Sequence, residues 1–194
     1  LVERNLHRKS FVDELTGVLN YRYLDERMEE EQERIRRHGG RLSLLFLDLD
    51  KFKRVNDRFG HRIGNVVLKD LAQAIAKQVR ASDVVGRLGG DEFLVLLPDT
   101  CPEEAHTLAG RLTEAVRNYC LELNDEKRVD SVRMSVGVAA YPTNGETINC
   151  AVAAADRATY QSKQQGGDTA TISDEFISSN PAATPRRQAP TDDS

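Results

Sequence analysis

The sequence predicts an α/β (α+β) domain in which a central mixed sheet is flanked by helices. Three observations support this. Segments of helical and strand periodicity interleave along the chain in the order α, β, α, α, β-hairpin, α, β, α. Residues 41–50 hold a nearly continuous apolar run, Leu42, Leu44, Leu45, Phe46, Leu47 and Leu49, too short for a buried helix and suited to a central strand covered on both faces. Residues 80–93 place Val84 and Val85 before a Gly89-Gly90 turn, with a second apolar run starting at Phe93, which is the pattern of a β-hairpin.

Residues 1–12 are charged, with Leu1, Leu6 and Phe11 loosely spaced, and read as the end of a linker or signalling helix from an upstream domain. Residues 13–20 form a turn broken by Gly17 and Asn20. A charged helix follows over 21–38, with Tyr23, Leu24, Met28 and Ile35 as its apolar side and Gly39-Gly40 as its stop. After the central strand, 52–59 is a short helix, 60–64 a glycine-bounded turn, and 65–79 an amphipathic helix through Val67, Leu68, Leu71 and Ile75. Beyond the hairpin, Pro102 opens a helix running to about Leu121. A polar loop over 124–130, a strand over 132–140 and a last helix over 148–163 complete the series. The tail, 168–194, is rich in Ser, Thr, Pro and Asp and is expected to be disordered. No internal repeat is present.

Composition narrows the function classes. With 39% hydrophobic and 30% charged residues the chain is an ordinary soluble globular type. A net charge of -4 gives no reason to expect nucleic acid or an anionic membrane as partner. No apolar run approaches the roughly 18 residues of a membrane span. Cys101, Cys120 and Cys150 are odd in number and lack zinc-ligand spacing, so a reducing cytoplasm is the natural compartment.

The chemistry gathers on acidic residues. Asp91 and Glu92 stand at the hairpin tip, and Asp48 and Asp50 close the central strand, two apart and so on one face. If the two strands are neighbours, three carboxylates, Asp48, Asp91 and Glu92, converge at one end of the sheet. Such a group needs a positive neutraliser, and phosphate-bound Mg²⁺ answers the need because hard cations take carboxylate oxygens. A two-metal phosphoryl-transfer site explains the set better than strand-end loop residues do. Lys53 and the amides at the start of its helix suit phosphate, and Asn56 and Asn65 suit a base edge.

The ordered set Asp13-x-Leu-Thr-Gly17, Asp48-x-Asp-x-Phe-Lys53, Asn56-Asp57, Gly60-His61-x-x-Gly64, Gly89-Gly-Asp-Glu-Phe93, Ser135-x-Gly137 and Asp156-x-Ala-x-Tyr160-x-x-Lys163 resembles the GGDEF family of diguanylate cyclases over about residues 10–167. The resemblance implies a nucleotidyl-cyclase or polymerase-palm-like fold over 13–167. It also implies condensation of two GTP into cyclic di-GMP with loss of two pyrophosphates, by a homodimer of facing domains. Asp48 and Asp91, with the Leu49 carbonyl, would hold Mg²⁺ (or Mn²⁺), two ions per active site. Glu92 would assist the metal and help deprotonate the 3′-hydroxyl. Phe52, through its backbone, Lys53 and Lys163 would line the triphosphate pocket, and Asn56 and Asn65 would face guanine. His61, with Asp57, Gly60 and Gly64, would shape the pocket. Arg80-x-x-Asp83, with Arg111 on the following helix, resembles the family's product-inhibition site. An upstream sensory domain would supply the signal.

Four positions, at three places in the chain, depart from the family pattern. Asn65 stands where Asp is usual, and an amide offers guanine one acceptor and one donor group where a carboxylate offers two acceptors. That substitution raises the expectation of relaxed base choice, with some cyclic GMP-AMP formed. Gly167-Asp168 replaces a basic residue and Asn, so one phosphate contact is expected to be missing. Tyr21 stands where the first of two arginines is common. Two alternatives to an active cyclase stay open: a catalytically weak receptor for cyclic di-GMP, and a pure interaction domain.

Overall fold

The computed structural model describes residues 11–124 and 127–179; the expected linker residues 1–10 and the last part of the tail lie outside them. A six-stranded mixed sheet forms the middle layer. Its strands are β1 (Leu19–Asn20), β2 (Leu42–Leu49), β3 (Val84–Gly89), β4 (Glu92–Pro98), β7 (Met134–Tyr141) and β8 (Ala170–Ile172), in the order β1-β3-β4-β2-β7-β8. Every residue of β2 is buried, as a strand covered on both faces requires. It pairs antiparallel with β4 on one side and with β7 on the other.

Five helices cover the sheet: α1 (Tyr21–His38), α2 (Phe52–Phe59), α3 (His61–Ala76), α4 (Pro102–Arg117) and α5 (Ile148–Gln164). Leu45, Leu47, Phe93, Val95 and Val136 project from one face onto Phe52 of α2, Val67 and Leu71 of α3, and Leu108 and Leu112 of α4. Leu44, Phe46, Leu94 and Leu96 project from the other face onto Leu24 and Met28 of α1 and Ala151 and Ala155 of α5. Alternation along β2 thus feeds two cores. Asn20 caps α1 by accepting a hydrogen bond from the Tyr23 amide, and Gly39 ends it at φ 71°.

Several expectations are corrected. Residues 60–64 are not an open turn: α3 begins at His61, one residue after α2 ends, and Gly60 alone makes the corner at φ 82°. The helix from Pro102 stops at Arg117 instead of about Leu121. The stretch read as a polar loop contains a second, two-stranded sheet, β5 (Leu121–Asn124) and β6 (Lys127–Val129). Leu121 and Leu123 point inward there while Glu122 and Asn124 face out, a period-2 pattern too short and too polar to stand out.

The tail is ordered well past residue 168. β8 extends the sheet beside β7, in parallel. Beyond it, the Asn144 side-chain amide donates to the carbonyls of Ser173 and Glu175 at 3.1 and 2.9 Å, and Ile177 is buried. Backbone hydrogen bonds to the sheet edge and to one asparagine supply an order that apolar content did not announce.

Candidate active site

Strand register builds the site. Asp48, near the end of β2, lies directly opposite Glu92 on β4 and opposite Ser135 on β7. The β3–β4 turn is closed by Gly90 at φ 50°, a left-handed conformation that glycine adopts without a Cβ clash. This turn carries Asp91 to the same end of the sheet, where its carbonyl accepts a hydrogen bond from the Leu49 amide at 3.4 Å. Asp48 is 8% exposed, and its Oδ1 lies 2.5 Å from Lys163 Nζ, reaching over from α5. Burial pushes the Asp91 carboxyl pKa up and the Asp48 charge pushes it further, against the pull of Lys163 and Arg87.

Asp48 is thus close enough for its charge to act on Asp91. Among the described residues, however, no three Asp, Glu, His or Cys side chains form a ready-made metal cage. The donor set still fits a hard divalent ion. Mg²⁺ takes one or two carboxylates and completes its shell with phosphate oxygens and water, so a two-carboxylate floor awaiting a polyphosphate matches its needs. Asp50 takes no part in that floor: it accepts the Ser135 hydroxyl at 2.7 Å and the Asp168 amide at 2.8 Å.

Beside the carboxylates opens a cavity of about 340 Å³ lined by Phe52, Lys53, Asn56, His61, Asn65, Leu68, Arg87, Gly90 and Asp91. Five residues expected for substrate (Phe52, Lys53, Asn56, His61 and Asn65) are therefore brought together with the hairpin tip. Phe52 is buried, whereas Lys53 and Asn65 are exposed to an incoming ligand. Gly64 is needed where it stands. A Cβ there would lie 1.9 Å from Asn56 Oδ1, so the absent side chain is what lets the Asn56 amide lie against α3.

The residues expected at the inhibitory site are less united. Asp83 Oδ2 accepts the Arg80 backbone amide at 2.7 Å, which closes the turn before β3 and leaves the Arg80 side chain in solvent. Arg111 is exposed on α4, and among the described residues no hydrogen bond or ion pair joins it to Arg80 or Asp83.

One organising residue was missed. Arg87 Nε and Nη2 donate to the Gly90 carbonyl at 3.0 and 2.6 Å, and Nη1 donates to both carboxylate oxygens of Asp13 at 3.1 and 3.3 Å. Asp13 also accepts the Thr16 amide and hydroxyl at 2.9 and 2.6 Å. Burial alone would raise the Asp13 pKa, but the Thr16 donors and the Arg87 charge outweigh it and hold the carboxyl below its ordinary range. An Arg two residues before a Gly-Gly turn is the only local signal; its partner is 74 residues away.

The departure at residues 167–168 has a structural basis. Gly167 has φ 74°, and a Cβ there would meet Asp50 Oδ2 at 2.8 Å. Asp168 pairs with Arg117 at 2.8 Å and Arg133 at 3.3 Å, and so fastens the end of α5 to α4 and to the residue just before β7.

Comparison with known proteins identifies the family and the fold. A family model described as "Diguanylate cyclase, GGDEF domain" matches residues 10–169. The diguanylate cyclase DgcP of Pseudomonas aeruginosa is 40% identical over 161 residues, 83% of this chain and 24% of that protein. The crystal structure of the GGDEF domain of TpbB (YfiN) from Pseudomonas aeruginosa superimposes with a TM-score of 0.76 at 33% identity, covering 82% of this chain and 98% of that one. The GGDEF domain of DgcB from Caulobacter crescentus, solved in complex with c-di-GMP, gives a TM-score of 0.80 at 25% identity, covering 85% of this chain and 94% of that one. The matched region makes up between 15% and 37% of the length of such curated relatives. Among the described residues no helix is long and apolar enough to cross a membrane.

Proposed function

The chain belongs to the GGDEF family of diguanylate cyclase domains, and from that premise we propose that it joins two GTP into cyclic di-GMP. One observation supports the reading above the others. Asp91 lines a cavity whose other wall carries Lys53, Asn56 and Asn65, and the buried, Lys163-paired Asp48 lies close enough to act on the Asp91 charge. That places a cation-seeking floor next to a nucleotide-sized recess.

In the proposed reaction the 3′-hydroxyl oxygen of one GTP attacks the α-phosphorus of the other. The new P–O bond forms as the α–β anhydride bond breaks, pyrophosphate leaves, and the hydroxyl proton passes to a base that Glu92 helps supply. A second, symmetric attack closes the ring. Because one cavity holds one nucleotide, two domains must face each other, which makes the active species a homodimer. Asp48, Asp91 and the Leu49 carbonyl would hold Mg²⁺ or Mn²⁺, two ions per site, which would supply positive charge against the phosphates and make the attacking hydroxyl more acidic. Lys163 sets Asp48 in place and adds positive charge, while Lys53 faces the phosphates. Asn56 and Asn65 meet the base edge, and His61 shapes the mouth of the pocket.

Product inhibition is part of the proposal. The Arg80–Asp83 turn presents a free guanidinium, which suits phosphate and the guanine Hoogsteen edge, and Arg111 joins it when ligand bridges the two.

The test is incubation of concentrated protein with Mg²⁺ and GTP, ATP or both, with products resolved by mass. Cyclic di-GMP from GTP is expected. A mixed dinucleotide would assign relaxed base choice to Asn65, and absence of any cyclic product from a demonstrated dimer would overturn the cyclase reading.

A further inference from the structure

A larger cavity, about 640 Å³, lies across α2 from the nucleotide recess. Its inner wall is Asp50, two residues past Asp48, with Gly166 and Asp168, three and five residues past Lys163. Its outer wall carries Lys51 at the start of α2, then Arg54 and Arg58 four residues apart on that helix, with Arg133 opposite.

The charge balance on these walls is uneven. Asp50 is engaged by Ser135 and the Asp168 amide, and Arg117 and Arg133 both engage Asp168 through Oδ2, while among the described residues its buried Oδ1 has no hydrogen-bond partner. Among the described residues Lys51, Arg54 and Arg58 have no ion pair, and all three are exposed. Asp57 is the remaining carboxylate on this wall. The cationic track continues past Arg58 into a recess of about 520 Å³ lined by Lys127 and Arg128, where Arg128 pairs with Asp130 at 2.6 Å. In a chain of net charge -4, three unpaired cations along one wall mark a place for an anion.

We infer that this cavity is a pyrophosphate-binding exit site for the leaving group of the proposed reaction, and the inference rests on that reading. Three features select pyrophosphate over a second nucleotide. The cavity opens beside the carboxylate floor, since Asp50 lines it two residues on from Asp48 and Gly166 three residues on from Lys163. Guanidinium groups bind phosphate oxygens bidentately, and two of the unpaired cations are arginines. Lastly, the aromatic face a base would stack on is taken, because the Arg58 guanidinium lies 4.9 Å over the Phe59 ring. The anion would move off the carboxylate floor along α2, which clears the nucleotide recess from behind.

The experiment is calorimetric titration of Mg²⁺-pyrophosphate into the whole chain, into Asp91→Asn, and into Arg54→Glu/Arg58→Glu. The site is expected to persist in Asp91→Asn and to weaken at least tenfold in the double variant, with a matching rise in the inhibition constant for pyrophosphate during turnover. Arg54→Gln/Arg58→Gln, which reverses no charge, is expected to give an intermediate loss. Binding abolished by Asp91→Asn, or unchanged in both double variants, overturns the inference while any measured cyclase activity still stands. Binding that depends on Arg54 and Arg58 in a protein that makes no cyclic dinucleotide keeps the anion site and removes its role as an exit.

Discussion

Replacing Asp13 by Asn tests whether the chain's entry turn holds the hairpin tip. Both partners of the Asp13–Arg87 pair are mostly covered, with side chains 24% and 13% exposed. Asparagine keeps an oxygen for the Thr16 donors but turns an NH₂ group or a neutral oxygen toward the guanidinium. A hydrogen bond to a charged group is worth about 1.5–3 kcal/mol, whereas an exposed pair contributes roughly 0–1 kcal/mol. This mostly covered pair lies between, so Asp13→Asn should cost about 1–1.5 kcal/mol, a sizeable share of the roughly 5–15 kcal/mol that holds a domain together. Arg87→Ala loses the same pair and both bonds to the Gly90 carbonyl. A double-mutant cycle should therefore give a coupling of about 1–1.5 kcal/mol.

The pH dependence has a definite sign. The folded-state pKa of Asp13 is depressed, so its contribution is fully present above the ordinary carboxylate value of about 3.9 and drains away as pH falls through the lower folded value. Wild type and Asp13→Asn should differ by the full amount at neutral pH and converge in strong acid. Urea unfolding at a series of pH values, followed by circular dichroism, measures this. A stability gap that does not narrow on acidification, or a coupling below about 0.3 kcal/mol, the usual scatter of additivity, would refute the reasoning. Activity supplies a second readout. Arg87 fixes the carbonyl that precedes Asp91, and displacement of a reacting group by about 1 Å can cost on the order of a hundredfold. Arg87→Lys, which keeps the charge and loses the two-pronged grip on Gly90, should recover stability better than turnover.

Three further outcomes follow from the same site. Asp91→Asn should cut turnover at least a hundredfold, by the measure of lost preorganised electrostatics, yet leave thermal stability equal or higher, because burial and Asp48 already disfavour the charged form of Asp91; a scanning melt beside the product assay checks both. Arg80→Ala should raise the cyclic di-GMP concentration needed for half-inhibition by about tenfold or more, as loss of one bidentate guanine contact worth about 1–3 kcal/mol predicts; unchanged inhibition would remove the Arg80–Asp83 turn from the product site. Asn65→Asp should raise the GTP-over-ATP ratio in single turnovers by about tenfold through a second acceptor for guanine; identical ratios in the two proteins would end the idea of relaxed base choice.

What could be read from the sequence divides along a physical line. The central strand was legible because a fully buried strand must be apolar at every step, and β2 is. The hairpin was legible because Gly89-Gly90 announces a turn that few other residues can make. Asp48 and Asp91 were legible by type and position, although how close two carboxylates stand depends on register, which the chain does not spell out. Arg87 was hidden for the opposite reason: its meaning lies in Asp13, and no local rule links residues so distant. The β5–β6 pair and β8 were hidden because they are short and partly polar, with Leu121, Leu123, Val129 and Ala170 turned to the core among polar neighbours, so composition misled.

The changes at residues 167–168 join these two cases. Read locally, Gly167 in place of a basic residue means a missing phosphate contact. In three dimensions Asp50 Oδ2 lies 2.8 Å from where a Cβ would sit and accepts the next amide, so glycine is the residue this arrangement tolerates. Asp168, at φ 55°, turns its carboxylate to Arg117 and Arg133. The positive charge absent from position 167 is thus not absent from the neighbourhood. Arg133 and the unpaired Lys51, Arg54 and Arg58 stand around the same cavity, displaced outward from the carboxylate floor. A basic residue at 167 would hold an anion at the reacting centre, whereas cations along α2 draw it away. With the α2 cavity as the exit site inferred above, the substitution would shift the balance from retaining the terminal phosphates toward releasing them.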